Sequence, residues 1–321
     1  MKRSLSLFFK GMGMGAADAV PGVSGGTIAF VTGIYEELIH TIRRFGPEAF
    51  GVWRRGGMRA LIAHLNLVFL IPLVLGIGTS VLSVAHLVTW LMASYPLLLN
   101  AFFFGLVLAS AGVVFRRLGH WQPAHLLPLL LGGVLAWALP MLLPTSQSAT
   151  MLFFGGAIAI SAMLLPGVSG SFLLLTMGLY GTVMGAIKGF EIGTLGLFAA
   201  GCLVGLFTFS RVLSWLFRHH HDLTLNLLIG FILGSLPTLW PWQQLTRYRM
   251  GDNGDIVPLH HQLLWPNDFS AITGEPAHLL GAMVLMIIGV AVIMLVGERS
   301  SSQPSQAGEK GMLSKESGDN E

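Results

Sequence analysis

One short motif occurs twice in this chain, and each copy interrupts an apolar stretch. Residues 21–35 read Pro-Gly-Val-Ser-Gly, seven further residues, then Gly-Ile-Tyr; residues 166–180 read Pro-Gly-Val-Ser-Gly, seven further residues, then Gly-Leu-Tyr. The offset is 145 residues throughout. Proline removes a backbone donor and clashes with the preceding helical turn, and glycine admits torsions that other residues avoid. Non-helical backbone survives at membrane depth only where protein buries it or where it lines a wet cavity. A duplicated helix break inside apolar sequence is the mark of a transporter assembled from two repeats.

Composition agrees. Of 321 residues, 53% are hydrophobic and 10% charged, whereas soluble domains are about 25% charged. Eight hydrophobic units follow one another. The first, 5–42, is broken at 21–26, and three more lie at 66–92, 97–115 and 125–143. The fifth, 151–189, is broken at 166–171, and the last three lie at 193–217, 223–240 and 278–297. Residues 241–276 read as a polar loop with scattered aromatics, and 300–321 as a polar tail. Cys202 is the one cysteine, so no intramolecular disulfide forms. No small-residue cleavage site follows Met1–Lys10, which argues against a removed signal peptide.

Charge placement sets a topology. If each broken unit is a hairpin that enters and leaves on one side, and the other six units span once, then 15 of the 18 Lys and Arg fall on one face. Only Lys188, Arg247 and Arg249 fall on the other. By the positive-inside rule both termini are cytoplasmic. The net charge of +3 is thus a matter of topology and does not point to nucleic acid. The expected fold is an all-α polytopic membrane protein of two inverted repeats, each a re-entrant hairpin plus three transmembrane helices. The repeats occupy 1–145 and 146–298, with a disordered cytoplasmic tail at 299–321. Broken units that cross fully as discontinuous helices are the alternative. A second internal match supports duplication: Gly105–Ser110 resembles Gly230–Ser235 at an offset of 125, as one loop-length difference near 43–62 requires.

In each copy, Pro21 and Gly22, or Pro166 and Gly167, break the helix, and the residues after them open a new one. The free N–H groups and dipole of a helix start suit an anion, phosphate above all. Ser24, Gly25, Gly26 and Thr27 in the first copy, and Ser169, Gly170 and Ser171 in the second, are the expected phosphate contacts. The plainer reading is a packing turn whose serine caps its own helix. Asp18, in a run of small and apolar residues, is a costly acid at membrane depth and a candidate for coupling to a proton or sodium ion. The alternative is an acid pinned by backbone donors or an arginine. Its counterpart by offset is Met163. Glu36 is a second coupling candidate; it and Glu37 are also placed to pair with Arg43 or Arg44. Arg211, two turns inside its span, either snorkels to the interface or reaches a phosphate. His219–His221, like His260 and His261, read as solvated rather than as metal ligands, because adjacent histidines do not share a helix face. No metal or cofactor is expected.

The segment Gly13–Ala29, with Gly33-Ile-Tyr-Glu36, resembles the first signature of the PopT-type polyprenyl-phosphate transporters, a bacterial membrane family. Leu165–Ser171 with Gly178-Leu-Tyr180 is similar to the second. The resemblance implies a multi-pass protein of the bacterial cytoplasmic membrane that returns undecaprenyl phosphate from the outer to the inner leaflet for reuse in cell-wall synthesis. In that family an acid often follows the second tyrosine; Gly181 stands there, so no acidic role is carried over. Two other classes are weighed. Integral-membrane polyprenyl-pyrophosphate phosphatases carry Pro-Gly-x-Ser-Arg-Ser, but Gly25 and Gly170 occupy the arginine position and a paired-glutamate motif is not evident. A transporter of a small soluble anion fits the motif physics as well.

Overall fold

The structure is a computed structural model that describes residues 2–18, 24–116, 118, 122–143, 148–250 and 256–301. Pro21 and Gly22 lie outside the described residues, as does the tail from 302 onward. The first half begins with α1 (Lys2–Asp18), followed by two short helices, α2 (Gly25–Val31) and α3 (Tyr35–Arg43). Then come α4 (Pro47–His64), α5 (Leu67–Ser94), α6 (Pro96–Phe115) and α7 (Leu126–Leu142). The second half repeats the pattern with α8 (Ala149–Leu164), the short α9 (Gly170–Thr176) and α10 (Tyr180–Gly189), then α11 (Ile192–His219) and α12 (His221–Ser235). A hairpin of β1 (Gln243–Met250) and β2 (Ile256–Leu263) and the helix α13 (Pro266–Thr273) precede the last helix, α14 (Leu279–Ser301).

Glycine contacts show that the duplication is physical. Helix α1 crosses α5 so closely that a Cβ on Gly11 would strike the Leu73 carbonyl, and one on Gly76 the Phe8 carbonyl. Helix α8 crosses α11 in the same way, with Gly156 on the Phe198 carbonyl and Gly201 on that of Phe153. These are the same two contacts, displaced by 145 residues on one helix and 125 on the other. The remaining helices exchange partners between halves. Gly105 of α6 lies on the Met286 carbonyl of α14, and Gly230 of α12 lies on the Leu129 carbonyl of α7. Gly289 on Phe102 and Gly132 on Leu227 complete the two crossings. Each half therefore buries its third unit against the last helix of the other half.

Four described helical stretches are long and apolar enough to cross a membrane: 96–115, 123–140, 192–219 and 221–239. The number rises to six if the bent pairs α4–α5 (49°) and α9–α10 (108°) each count as one span. All six units expected to span once are helical, as α5, α6, α7, α11, α12 and α14. The outer faces carry exposed leucine and isoleucine, such as Leu82, Leu127 and Ile192, which suits a lipid surround. The protein is an all-α polytopic membrane protein.

Two segments expected to be loops are folded. Residues 47–64 form α4, which Pro47 opens at the first helical turn and Gly57 kinks with φ 66°. This helix has no counterpart between α10 and α11, and it accounts for the fall in offset from 145 to 125. Residues 243–250 and 256–263 pair as antiparallel strands. Tryptophans fasten the base of this hairpin: Trp240 Nε1 donates to the Leu264 carbonyl and Trp242 Nε1 to that of Ala277, both at 2.8 Å. Phe104 of α6 packs edge-on against Trp240, with ring centres 5.5 Å apart.

Candidate functional site

The second motif copy is unwound where its residues predict. Helix α8 ends at Leu164, Leu165 turns extended, and Gly167 takes φ 85°, a left-handed conformation that glycine adopts without penalty. Pro166 and Gly167 thus sit in the break between α8 and α9. Ser169 caps α9 by accepting the Phe172 N–H, and its hydroxyl lies 3.0 Å from that of Ser171. In the first copy Ser24 caps α2 by accepting the Gly26 N–H at 3.1 Å. The Gly-x-Tyr ends of both copies also act alike. Gly33 (φ 72°) and Gly178 (φ 75°) end the short helices, and the residue after each donates back five positions, Ile34 to Ala29 and Leu179 to Leu174.

The two copies interlock. The Ser24 hydroxyl points across to the carbonyls of Met163 (3.2 Å) and Leu165 (3.3 Å). Gly167 returns the contact by donating its N–H to Thr27 Oγ1 at 2.9 Å. Tyr35, at the start of α3, donates its hydroxyl to the Leu164 carbonyl at 2.6 Å. The backbone groups that the second break releases are thus taken up by side chains of the first copy. Ser24, Thr27 and Tyr35 are all buried, which makes these bonds costly to break.

Asp18 and Met163 occupy equivalent places. A Cβ on Gly25 would meet Asp18 and the Met14 carbonyl; one on Gly170 would meet Met163 and the Ala159 carbonyl, each partner displaced by 145. Only the first half has a carboxylate there. Asp18 Oδ1 accepts the Gly25 N–H at 2.6 Å. With Gly26 bonded to the Ser24 hydroxyl and Thr27 to the Ser24 carbonyl (2.9 Å), the first three N–H groups of α2 have acceptors within the chain. In this conformation the anion at the start of α2 is the protein's own Asp18.

The other expected residues lie elsewhere. Arg211 is exposed, bonded to the Phe207 carbonyl at 3.1 Å and lying beside Gly46, between α3 and α4. Glu36 meets His221 at 3.2 Å, at the start of α12. The expected pairing of Glu36 and Glu37 with Arg43 or Arg44 is not formed. Glu37 pairs with Arg3 at 2.8 Å and accepts from Asn66, Arg43 reaches Ser214, and Arg44 reaches the His64 carbonyl. The reason is reach: the acids open α3 and the arginines close it, about 10 Å apart at 1.5 Å per residue. Among the described residues no group of three or more His, Cys, Asp or Glu is gathered as a metal site.

Among the cavities lined by described residues, two of the larger lie beside the interlocked motifs. One, of about 720 Å³, lies between α1, α2, α6 and α14, and its described lining is mainly apolar apart from Ser6, Lys10 and Thr32. The other, of about 580 Å³, lies between α7, α9, α12 and the β hairpin. They are related by the duplication, since Val31 and Ile293 line the first where Thr176 and Ala136 line the second. Sequence reasoning counted Lys10 only toward topology. The signal that would have singled it out, a cation on the apolar face that α1 turns to another helix, depends on knowing which helix that is.

The sequence that builds this duplicated scaffold has matches among known proteins. Residues 14–257 match the family described as undecaprenyl phosphate translocase-like. The chain belongs to this family. A relative from Vibrio cholerae, named polyprenyl-phosphate transporter, is 44% identical over 292 residues, covering 90% of this chain and 95% of the relative. One from Staphylococcus aureus with the same name is 32% identical over 260 residues, covering 72% of this chain and 84% of its own length. No solved structure matches the chain. Membership draws in the α1–α2 corner, both motif copies and the exchanged helices α6, α7 and α12, all of which fall within the matched span.

Proposed function

We propose that this protein carries polyprenyl phosphate, in the cell undecaprenyl phosphate, from the outer to the inner leaflet of the bacterial cytoplasmic membrane. The observation that carries the reading is the pair of duplication-related cavities on either side of the interlocked motifs, in a chain of this family. A transporter needs a headgroup path reached alternately from each face, and inverted repeats supply the two faces by construction. In this reading both termini are cytoplasmic, the α1–α2 cavity opens inward, and the cavity under the β hairpin opens outward.

The roles divide between the motif residues. Ser24, Thr27, Gly25 and Gly26 hold the crossing together, together with the break at Pro166 and Gly167. Ser169, Gly170 and Ser171 face the passing phosphate. Asp18 couples the cycle to a proton or sodium ion. While it is charged it holds the Gly25 N–H; once it is neutralised that bond weakens and the corner of α1 and α2 can move. Glu36 adds a second charged site through His221. Arg211 stands at the membrane surface beside Gly46 rather than at the crossing. Hydrolysis has little to act with here, since glycine stands at 25 and 170 where a phosphatase motif places its arginine.

The test is the leaflet distribution of undecaprenyl phosphate in cells depleted of the protein, read beside phosphate release by the purified protein. Depletion is expected to leave the lipid on the outer leaflet, with no phosphate released in vitro. An unchanged distribution, or released phosphate, overturns the reading.

A further inference from the structure

We propose that the cavity between α1, α2, α6 and α14 is a seat for the lipid in its own right, with Lys10 as the counter-charge of the phosphate monoester. The seat rests on the lipid-phosphate reading above and adds to it a site and a residue. Among the described residues that line the cavity, Lys10 is the one with a formal charge. Its ammonium reaches the Thr32 carbonyl at 2.8 Å, at the C-terminal end of α2, where the helix dipole favours a cation. Around it the walls are Phe102, Phe103, Leu106, Val292 and Ile293. A cation within a mainly apolar trough matches a ligand that is one charged head on a hydrocarbon chain. At about 720 Å³ the space falls within the range of about 300–1,000 Å³ that houses a compact ligand. It therefore takes the headgroup and the first isoprene units, with the rest of the tail in the surrounding lipid.

The duplication sharpens the assignment. By the offset of 145, Lys10 corresponds to Gly155, and a Cβ on Gly155 would strike the Leu179 side chain, which fills that place in the second half. The cation is therefore no part of the shared scaffold. It belongs to the first of the two cavities, on the same helix as the carboxylate that is likewise confined to the first half. Placed there, it sets where the phosphate rests after it has passed the crossing.

The experiment measures binding of polyprenyl monophosphate and of uncharged polyprenol to the full-length protein in nanodiscs. The wild type is expected to prefer the phosphate form. Lys10→Gln should lower that preference about ten-fold, the scale of one charge-assisted contact, and leave polyprenol binding unchanged. Lys10→Arg should restore most of it, and Leu106→Trp, which narrows the trough, should weaken both ligands. Inorganic phosphate should not compete, because the site is read as one for a lipid. A Lys10→Gln protein that keeps the wild-type preference overturns the seat while leaving the transport reading intact. A wild-type protein that binds neither ligand overturns both. If Lys10→Gln and Lys10→Arg both lose all binding, including that of polyprenol, Lys10 is a structural cap for α2 and the seat is overturned.

Discussion

The two halves of this protein share a skeleton and differ in chemistry. The first half crosses α1 on α5 through Gly11 and Gly76; the second crosses α8 on α11 through Gly156 and Gly201, on carbonyls at corresponding positions. Both halves end a seven-residue helix on a left-handed glycine and start the next on a tyrosine. Yet Asp18 faces Met163 across the duplication, Lys10 faces Gly155, and buried Tyr35 faces the more exposed Tyr180. At these two crossings the backbones approach too closely for a side chain, so glycine stands in both copies. Asp18 and Lys10 have no polar counterpart, whereas the capping serines recur in both copies.

The largest effect should come from breaking the shared skeleton. Gly11→Leu and Gly156→Leu each drive a side chain into a backbone carbonyl of the partner helix, beyond the about 1–3 kcal/mol typical of overpacking. Both should abolish the yield of monodisperse protein, to a similar degree. Size-exclusion profiles in which one variant behaves as wild type would end the equivalence of the two crossings. Next comes the asymmetry itself. Asp18→Asn keeps an acceptor for the Gly25 N–H, so it should purify normally and lose gradient-driven transport of polyprenyl phosphate in proteoliposomes. Full transport in that variant would remove Asp18 from coupling.

Smaller effects test the interlock. Thr27→Val preserves shape and strands the buried Gly167 N–H, so it should cost about 1–3 kcal/mol, read as a lower thermal midpoint. The counterpart of Thr27 is Phe172, which offers no hydroxyl, so the bond runs one way only. Finest of all is the tyrosine pair. Tyr35→Phe loses its bond to Leu164 and should cost about 0.5–1.5 kcal/mol, whereas Tyr180→Phe should change stability hardly at all. Equal losses in the two tyrosine variants would show that the buried bond carries no stability of its own.

Much of this was legible in the residues. The helix breaks at Pro166 and Gly167, the caps at Ser24 and Ser169, and the six single helices follow from local rules of torsion, capping and apolar length. The mismatch of Asp18 with Met163 followed from counting. Other features were not legible, because they depend on pairings far apart in the chain. Residues 47–64 carry arginines and glycines that read as a loop, yet form a kinked helix. Residues 243–263 needed Trp240, Trp242 and Phe104 brought together before a hairpin made sense. Glu36 and Glu37 found His221 and Arg3 rather than the nearby arginines, since helix packing brings distant residues nearer than two turns of one helix.

By itself the sequence determined that the chain enters a membrane, that it is built twice, and where each copy must break, because those properties rest on burial of backbone polar groups and on the torsions of proline and glycine. Only the tertiary structure decided that the last helices change partners between halves, and that Ser24 and Thr27 answer the backbone groups freed by the second break. It also decided that Asp18 already occupies the anion's place at the start of α2. Each of those outcomes depends on contacts across more than a hundred residues or on competition for a single set of donors, which linear spacing does not encode.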